Sequence, residues 1–369
     1  MKTLSKTDIE DLVIGATILG TGGGGSPEEG LKSLMTQYNR GKKLRVASIQ
    51  ELQDDDRIAS PYFVGSVAPT SMEKHAGKKK VVFEDPIAAS FKLLEDRLGK
   101  KIAATVPTEI GGGNTAASLA IASKLGLPTI DGDLMGRAGP ELHQSTVHIF
   151  SLSMAPSAIA SESGNQFLVE SYSGIDDYEA IARYASVIAG GHVGVVDCPL
   201  EVSKARECIV KGTISKCMEI GEARREAAEN RGGDPIEAVL SKLANGRKIF
   251  EGVISKYSWK DEKGFLFAEA HVSGTGEFKG RKLKSSIMNE HIMCWIDGAP
   301  AVMPPDLIMF LDPKTGLGIT NDKLAKSKKI VVLGSSIDNV WRKKRGLELF
   351  GPRHFGQPYD YVPFEKLHL

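Results

Sequence analysis

Glu109, Asn114, Asp131 and Asp133 lie close together in the chain and carry the side chains best suited to chemistry. Asp131 and Asp133 are separated by one residue. In an extended chain both carboxylates point to one side. Such a pair can bind a divalent metal, or divide into an acid and a base whose pKa values are pushed apart. The same spacing also suits an Asp-Gly turn or a helix N-cap. Glu109 precedes three glycines and Asn114. Asn114 can cap a helix or donate to a developing negative charge. Arg137 can hold a substrate carboxylate, or pair with Glu141. Glu141, behind Pro140, also fits the first turn of a helix. His192 sits in the glycine-rich run GGHVGV, where a large polar ring is seldom needed for packing.

The elements that must position these residues alternate. KIAATV at 101–106 reads as a strand and ends in the turn that holds Glu109. Thr115–Leu125 reads as a helix, stopped by Gly126. The next strand, 127–130, ends in Asp131-Gly132-Asp133. This order is an α/β signature, and ligands of open α/β sheets sit outside the carboxyl ends of the strands. Glu109, Asn114, Asp131 and Asp133 are therefore expected to share one crevice.

Upstream, a helix capped by Thr7 carries Ile9, Leu12, Val13 and Ala16 at helical spacing. Gly20-Thr21-Gly22-Gly23-Gly24-Gly25 follows, then Ser26 and Pro27 as N-cap and first-turn pair of a helix reaching Tyr38. The glycine run matches G-x-G-x-x-G literally. The residues before it read as helix, so a dinucleotide fingerprint does not fit, and no Gly-Lys-Ser/Thr makes it a P-loop. Bare amides of Gly22, Gly23, Gly24 and Gly25 before a helix can hold an anion or oxyanion. A tight helix–helix turn is the other reading. Residues 57–67 read as a strand, with Ser66–Pro69 at its end facing the crevice and 73–80 as a charged loop. Asp85 and Pro86 start a helix, and Val147–Leu152 reads as a strand.

The 369 residues carry a formal net charge of +1, with 25% charged and 41% hydrophobic residues. That balance gives no reason to expect nucleic acid or an anionic membrane as partner. No apolar run reaches the ~20 residues of a membrane span. The first residues have no signal-peptide core, so a cytoplasmic location is expected. Four cysteines without CxxC spacing read as reduced, buried thiols. Length and a polar stretch at 171–177 indicate two domains, 1–172 and 173–369. The first is expected to be α/β with a mixed, mostly parallel sheet. The second is mixed α/β: helices near 177–189, 200–224 and 234–245, then strands from Lys248 onward. Asn289 and Glu290 interrupt an apolar strand there. Pro304-Pro305-Asp306 and GPRHFG at 351–356 are further polar punctuation.

LGTGGGGSPEEG at 19–30, PTEIGGGNTA at 107–116 and DGDLMGRAGPEL at 131–142 together resemble one known family. IAGGHVGV at 188–195, the NEH segment at 289–291, PPDLIMFLD at 304–312 and GPRHFG extend the resemblance over nearly the whole chain. The family is that of S-methyl thiohydantoin desulfurase, long called DUF917. The resemblance implies an N-terminal domain ending near residue 170. It also implies proteins found alone, beside, or fused to hydantoinase- or oxoprolinase-type subunits. One branch hydrolyses the C–S bond of an S-methylated thiohydantoin, releasing methanethiol and leaving a hydantoin.

The expectation is a hydrolase acting on a small cyclic ureide-type substrate, S-methyl thiohydantoin or hydantoin. Asp131 or Asp133 is assigned as base, or as ligand to a water-activating divalent metal, and Glu109 as acid. Amides of Gly22–Gly25 and the Asn114 side chain would stabilise negative charge, and Arg137 and His192 would orient the substrate. The alternative is a non-catalytic subunit or ligand-binding regulator of a hydantoinase-like complex. A homo-oligomer is compatible with either.

Overall fold

Short apolar runs broken by glycine turns give short strands, and the first sheet is built of them. The computed structural model describes residues 1–65, 80–262 and 264–367. The expectations for Ser66–Pro69, and for 73–80 up to its last residue, lie outside the described residues.

The first sheet has eight strands, in the order Lys2–Thr3, Arg45–Ala47, Thr129–Ile130, Ala104–Thr105, Arg57–Gly65, His192–Glu201, Ser157–Ala160 and Gln166–Val169. Pairing is parallel from Arg45–Ala47 through Arg57–Gly65 and antiparallel elsewhere. It is a mixed sheet with a parallel half. Thr105 pairs with Thr129, so the turns after both strands leave the same edge. His192–Glu201, far along the chain, completes this sheet between Arg57–Gly65 and Ser157–Ala160.

The helix starts follow their caps. Ser26 accepts from the Glu29 amide at the start of Pro27–Asn39, and Asp85 caps Pro86–Leu98. Asn114–Leu125 ends at Gly126 in the left-handed region. The first helix, Lys6–Leu19, is capped by Ser5 rather than Thr7. Ser5 and Asp8 form a reciprocal capping box, which outcompetes a cap two residues later. Val147–Leu152 is not a strand. Ser145 caps a short helix, Thr146–Ile149, whose apolar residues pack inward.

The second sheet has seven antiparallel strands and forms a half-barrel: Ala299–Val302, Glu290–Ile296, Lys282–Met288, Phe265–Gly274, Arg247–Glu262, Lys329–Ser335 and Leu307–Leu311. The helix Thr213–Glu229 joins the two halves by crossing Lys6–Leu19 at glycines. A Cβ on Gly15 would lie 1.9 Å from the Cys217 carbonyl oxygen, and one on Gly221 would lie 2.0 Å from that of Asp11. Arg225 Nη2 closes the crossing on Asp11 at 2.9 Å. Among the described residues no helix is long and apolar enough to cross a membrane.

Candidate functional site

Two glycine loops are pressed together at the entrance of two helices. The Gly24 carbonyl accepts from the Gly113 and Asn114 amides, both at 3.0 Å. A Cβ on Gly24 would stand 2.5 Å from Gly111 Cα, and one on Gly30 would stand 2.0 Å from the Gly112 oxygen. Only glycine allows this approach. The contact aligns the starts of Pro27–Asn39 and Asn114–Leu125 beside a cavity of about 920 Å³.

Gly22, Gly23, Gly24 and Gly25 line this cavity, as do Glu109, Asn114, Glu141 and His192. Asn289, Glu290 and Arg183 line it as well. The turn at Asn289 brings Glu290 from the second sheet onto the glycine loop. Gly24 N donates to Glu290 Oε1 at 3.2 Å, while Glu290 Oε2 is buried without a partner. A Cβ on Gly23 would lie 1.9 Å from Glu290 Oε1. Burial pushes the Glu290 carboxyl well above the ordinary range, and the nearby Glu109 charge pushes it further.

Glu109 is buried too, and burial raises its pKa. It is better served than Glu290. Asn114 Nδ2 donates to Oε1 at 2.7 Å and Gly139 N to Oε2 at 3.1 Å. Asn114 Oδ1 accepts from Phe63 N at 3.3 Å, which fixes the amide orientation. Glu141 Oε2 bonds His354 Nε2 at 2.6 Å and accepts from Gln144 at 2.9 Å. His192, exposed at the first position of its strand, meets the Phe63 ring edge-on at 5.1 Å. Arg183 is held by Glu179 at 2.7 Å and by the Pro140 carbonyl, also at 2.7 Å, with its guanidinium 4.1 Å from the Phe265 ring centre.

Three expected site residues lie off the cavity wall. The Asp131 carboxylate is turned to the start of Thr213–Glu229, accepting from Ser215 N at 2.9 Å and Ser215 Oγ at 2.6 Å. Gly212, the N-cap residue, has no side chain to offer there, so Asp131 supplies the cap. Asp133 is fully buried and accepts from the amides of Met135 at 2.8 Å and Gly136 at 2.6 Å. The shared crevice expected for Glu109, Asn114, Asp131 and Asp133 thus holds for the first two alone. The two aspartates leave the same sheet edge, but the chain carries them under the second half of the molecule. Among the described residues no group of three His, Cys, Asp or Glu side chains is arranged to hold a metal ion.

Arg137 is also fully buried. Its five N–H donors meet five acceptors: the carbonyls of Ala138, Pro305, Asp306 and His291, and Thr21 Oγ1. No donor remains for a substrate. It ties the glycine loop to the second sheet instead.

Two predictions follow from the aspartates. Asp131→Ala should lower stability by about 1–2 kcal/mol through the lost cap. Activity per folded molecule should stay within a few-fold, measured by denaturation and turnover on one preparation; abolished turnover in a fully stable variant would return Asp131 to the site. The second concerns pH. Burial raises Asp133 and Asp197 from 3.8 to about 7. Each binds its proton more tightly folded than unfolded. Its contribution is complete below the unfolded value and is lost as pH rises through about 7, by roughly 4 kcal/mol per group. Asp197→Asn should therefore flatten the fall in denaturation midpoint between pH 5 and pH 8. An unchanged slope would mean that Asp197 is ionised throughout.

The S-Me-THD-like N-terminal domain matches residues 7–171, and the S-Me-THD-like C-terminal domain matches residues 174–364. No curated protein matches the chain. A crystal structure of a protein from Chromobacterium violaceum superposes with a TM-score of 0.77 at 21% identity, covering 98% of this chain and 100% of that one. At that identity the likeness shows the shared fold.

Proposed function

The chain belongs to the S-methyl thiohydantoin desulfurase-like family, and on that premise we propose that it hydrolyses a small cyclic ureide-type substrate. The substrate is an S-methyl thiohydantoin, cleaved at its C–S bond, or a hydantoin. The observation that carries this reading is the pair of buried carboxyl groups with unlike surroundings on one cavity wall. Glu109 has two donors, which favour its carboxylate form against the burial that raises its pKa. Glu290 has one long donor and an unpartnered oxygen, and keeps its proton.

In this reading Glu109 takes a proton from water, which attacks the sp² ring carbon. Glu290 gives its proton to the ring nitrogen. The base role thus falls to Glu109, not to Asp131 or Asp133. Asn114 positions Glu109. Among the described residues the amides of Gly22 and Gly25 donate to no protein acceptor, and they are free to hold a carbonyl or oxyanion. His192 and Arg183 bound the cavity where the ring would be oriented.

The test is turnover by the purified chain alone. Release of methanethiol from S-methyl thiohydantoins, or ring opening of hydantoins, is the expected result. Binding without turnover until a hydantoinase-type subunit is added would overturn it in favour of a non-catalytic subunit.

A further inference from the structure

Tyr62, Val64, Leu142 and Met154 belong to one contiguous buried apolar cluster and also line the cavity. They make one stretch of the cavity wall apolar except for one phenol. We propose that this stretch receives the methylthio group of the substrate and that Tyr62 gives a proton to the departing sulfur. The inference rests on the hydrolase reading above.

Tyr62 is anchored through its hydroxyl to a buried carboxyl. Its hydroxyl donates to Asp197 Oδ2 at 2.6 Å, and Tyr178 donates to the same oxygen at 2.9 Å. Tyr178 Oη lies 2.6 Å from Ser157 Oγ. A chain of hydroxyls and one carboxyl thus runs from beneath the helix Ile175–Ala189 to the cavity wall. Asp197 is fully buried, and its Oδ1 has no partner beyond the adjacent Cys198 thiol, a weak donor. Ser60, its cross-strand neighbour, also has a buried hydroxyl without a partner. The strand is distorted at this point: the register slips between Ile58 and Ser60, and Cys198 stands at φ 49°. A carboxyl kept this deep with so weakly served an oxygen is costly unless it is protonated or used. Burial raises Asp197 to about 7, which keeps much of it protonated at neutral pH. A protonated Asp197 can donate to Tyr62 Oη, which frees the Tyr62 proton for a group bound in the cavity that Tyr62 lines.

The step balances. The ring carbon gains a C–O bond from water and loses its C–S bond, whose electron pair goes to sulfur. Sulfur takes the Tyr62 proton, and Asp197 returns one to Tyr62. The hydroxyl added from water loses its proton as its oxygen becomes the ring carbonyl, and that proton restores Glu290; the proton taken up at Glu109 restores Asp197 through solvent in the cavity. The two water protons end on ring nitrogen and sulfur.

The test uses the full chain and two probes, an S-methyl thiohydantoin and its S-(2,2,2-trifluoroethyl) counterpart, whose thiol is far more acidic. Tyr62→Phe should lose ~100-fold or more in kcat on the methyl probe. On the trifluoroethyl probe, which leaves unaided, the loss should be no more than a few-fold. Asp197→Asn, a positioning variant that keeps an oxygen for both tyrosines, should show the same split in milder form. Equal losses on both probes, or no loss on the methyl probe, would overturn the proton-donor role while leaving the hydrolase reading intact. Wild-type protein that cleaves neither probe overturns both.

Discussion

Glu290→Gln is expected to reduce kcat/KM by ~100- to 10,000-fold, the range general acid catalysis spans, while the protein stays folded. Glutamine keeps the shape and the acceptor for Gly24 N but has no proton of the right acidity. Glu290 is fully desolvated and faces the Glu109 charge, so its folded pKa is raised. The native carboxyl therefore destabilises the fold as pH rises and it is forced to ionise. Removing the titration should leave the variant as stable as wild type below the unfolded value of 4.5 and increasingly more stable than wild type as pH rises above it. Product binding, measured by calorimetry, should survive. A variant that keeps turnover within a few-fold would remove Glu290 as the acid, and with it the argument from two unlike carboxyl groups.

No spacing in the chain pairs Glu290 with Glu109: one opens a strand of the second sheet and the other lies in a turn beyond a strand of the first. The one signal was the polar Asn289-Glu290 break in a strand otherwise made of apolar residues. That break is the turn at which Asn289, at φ 54°, exchanges hydrogen bonds with Leu266. Most of the second sheet was legible, because its strands alternate strongly and are rich in Val, Ile, Leu and Phe. The helix bounds at Pro27 and Gly126 were legible through Ser26-Pro27 and the left-handed glycine. Ser157–Ala160 was not, since SAIA is too short and too small-chained to show a period. The glycine loop was read as an anion-holding run or a tight helix–helix turn. What it approaches, Gly111 and Glu290, could not be read from local sequence. Asp131 was misplaced because a cap for a helix more than 80 residues away looks the same as a ligand until the helix is seen.

Arg137→Lys is the other large effect, and it separates a substrate ligand from a structural tie. In the sequence, Arg137 reads either as a ligand for a substrate carboxylate or as the partner of Glu141, and the first reading makes it a residue free to meet a substrate. Such a residue, changed to lysine, would raise KM and leave stability within ~0.5 kcal/mol, as surface changes do. The structure demands the opposite. Lysine has three donors on one nitrogen and cannot span five acceptors arranged around a planar fork. At least two buried acceptors would lose their partner, each at about 1–3 kcal/mol. Burial already lowers the Arg137 pKa, so a buried lysine would be driven toward its neutral form and lose the attraction of Glu290 and Asp306 as well. The expected cost is about 3–5 kcal/mol, measured by urea denaturation. Thr21 would be released from Arg137, and the amides of the glycine loop would shift with it, so kcat should fall in the fraction that still folds. A lysine variant of wild-type stability with only a raised KM would show that Arg137 leaves its five partners to reach the substrate, and that the tie between the glycine loop and the second sheet is not what holds the cavity in shape.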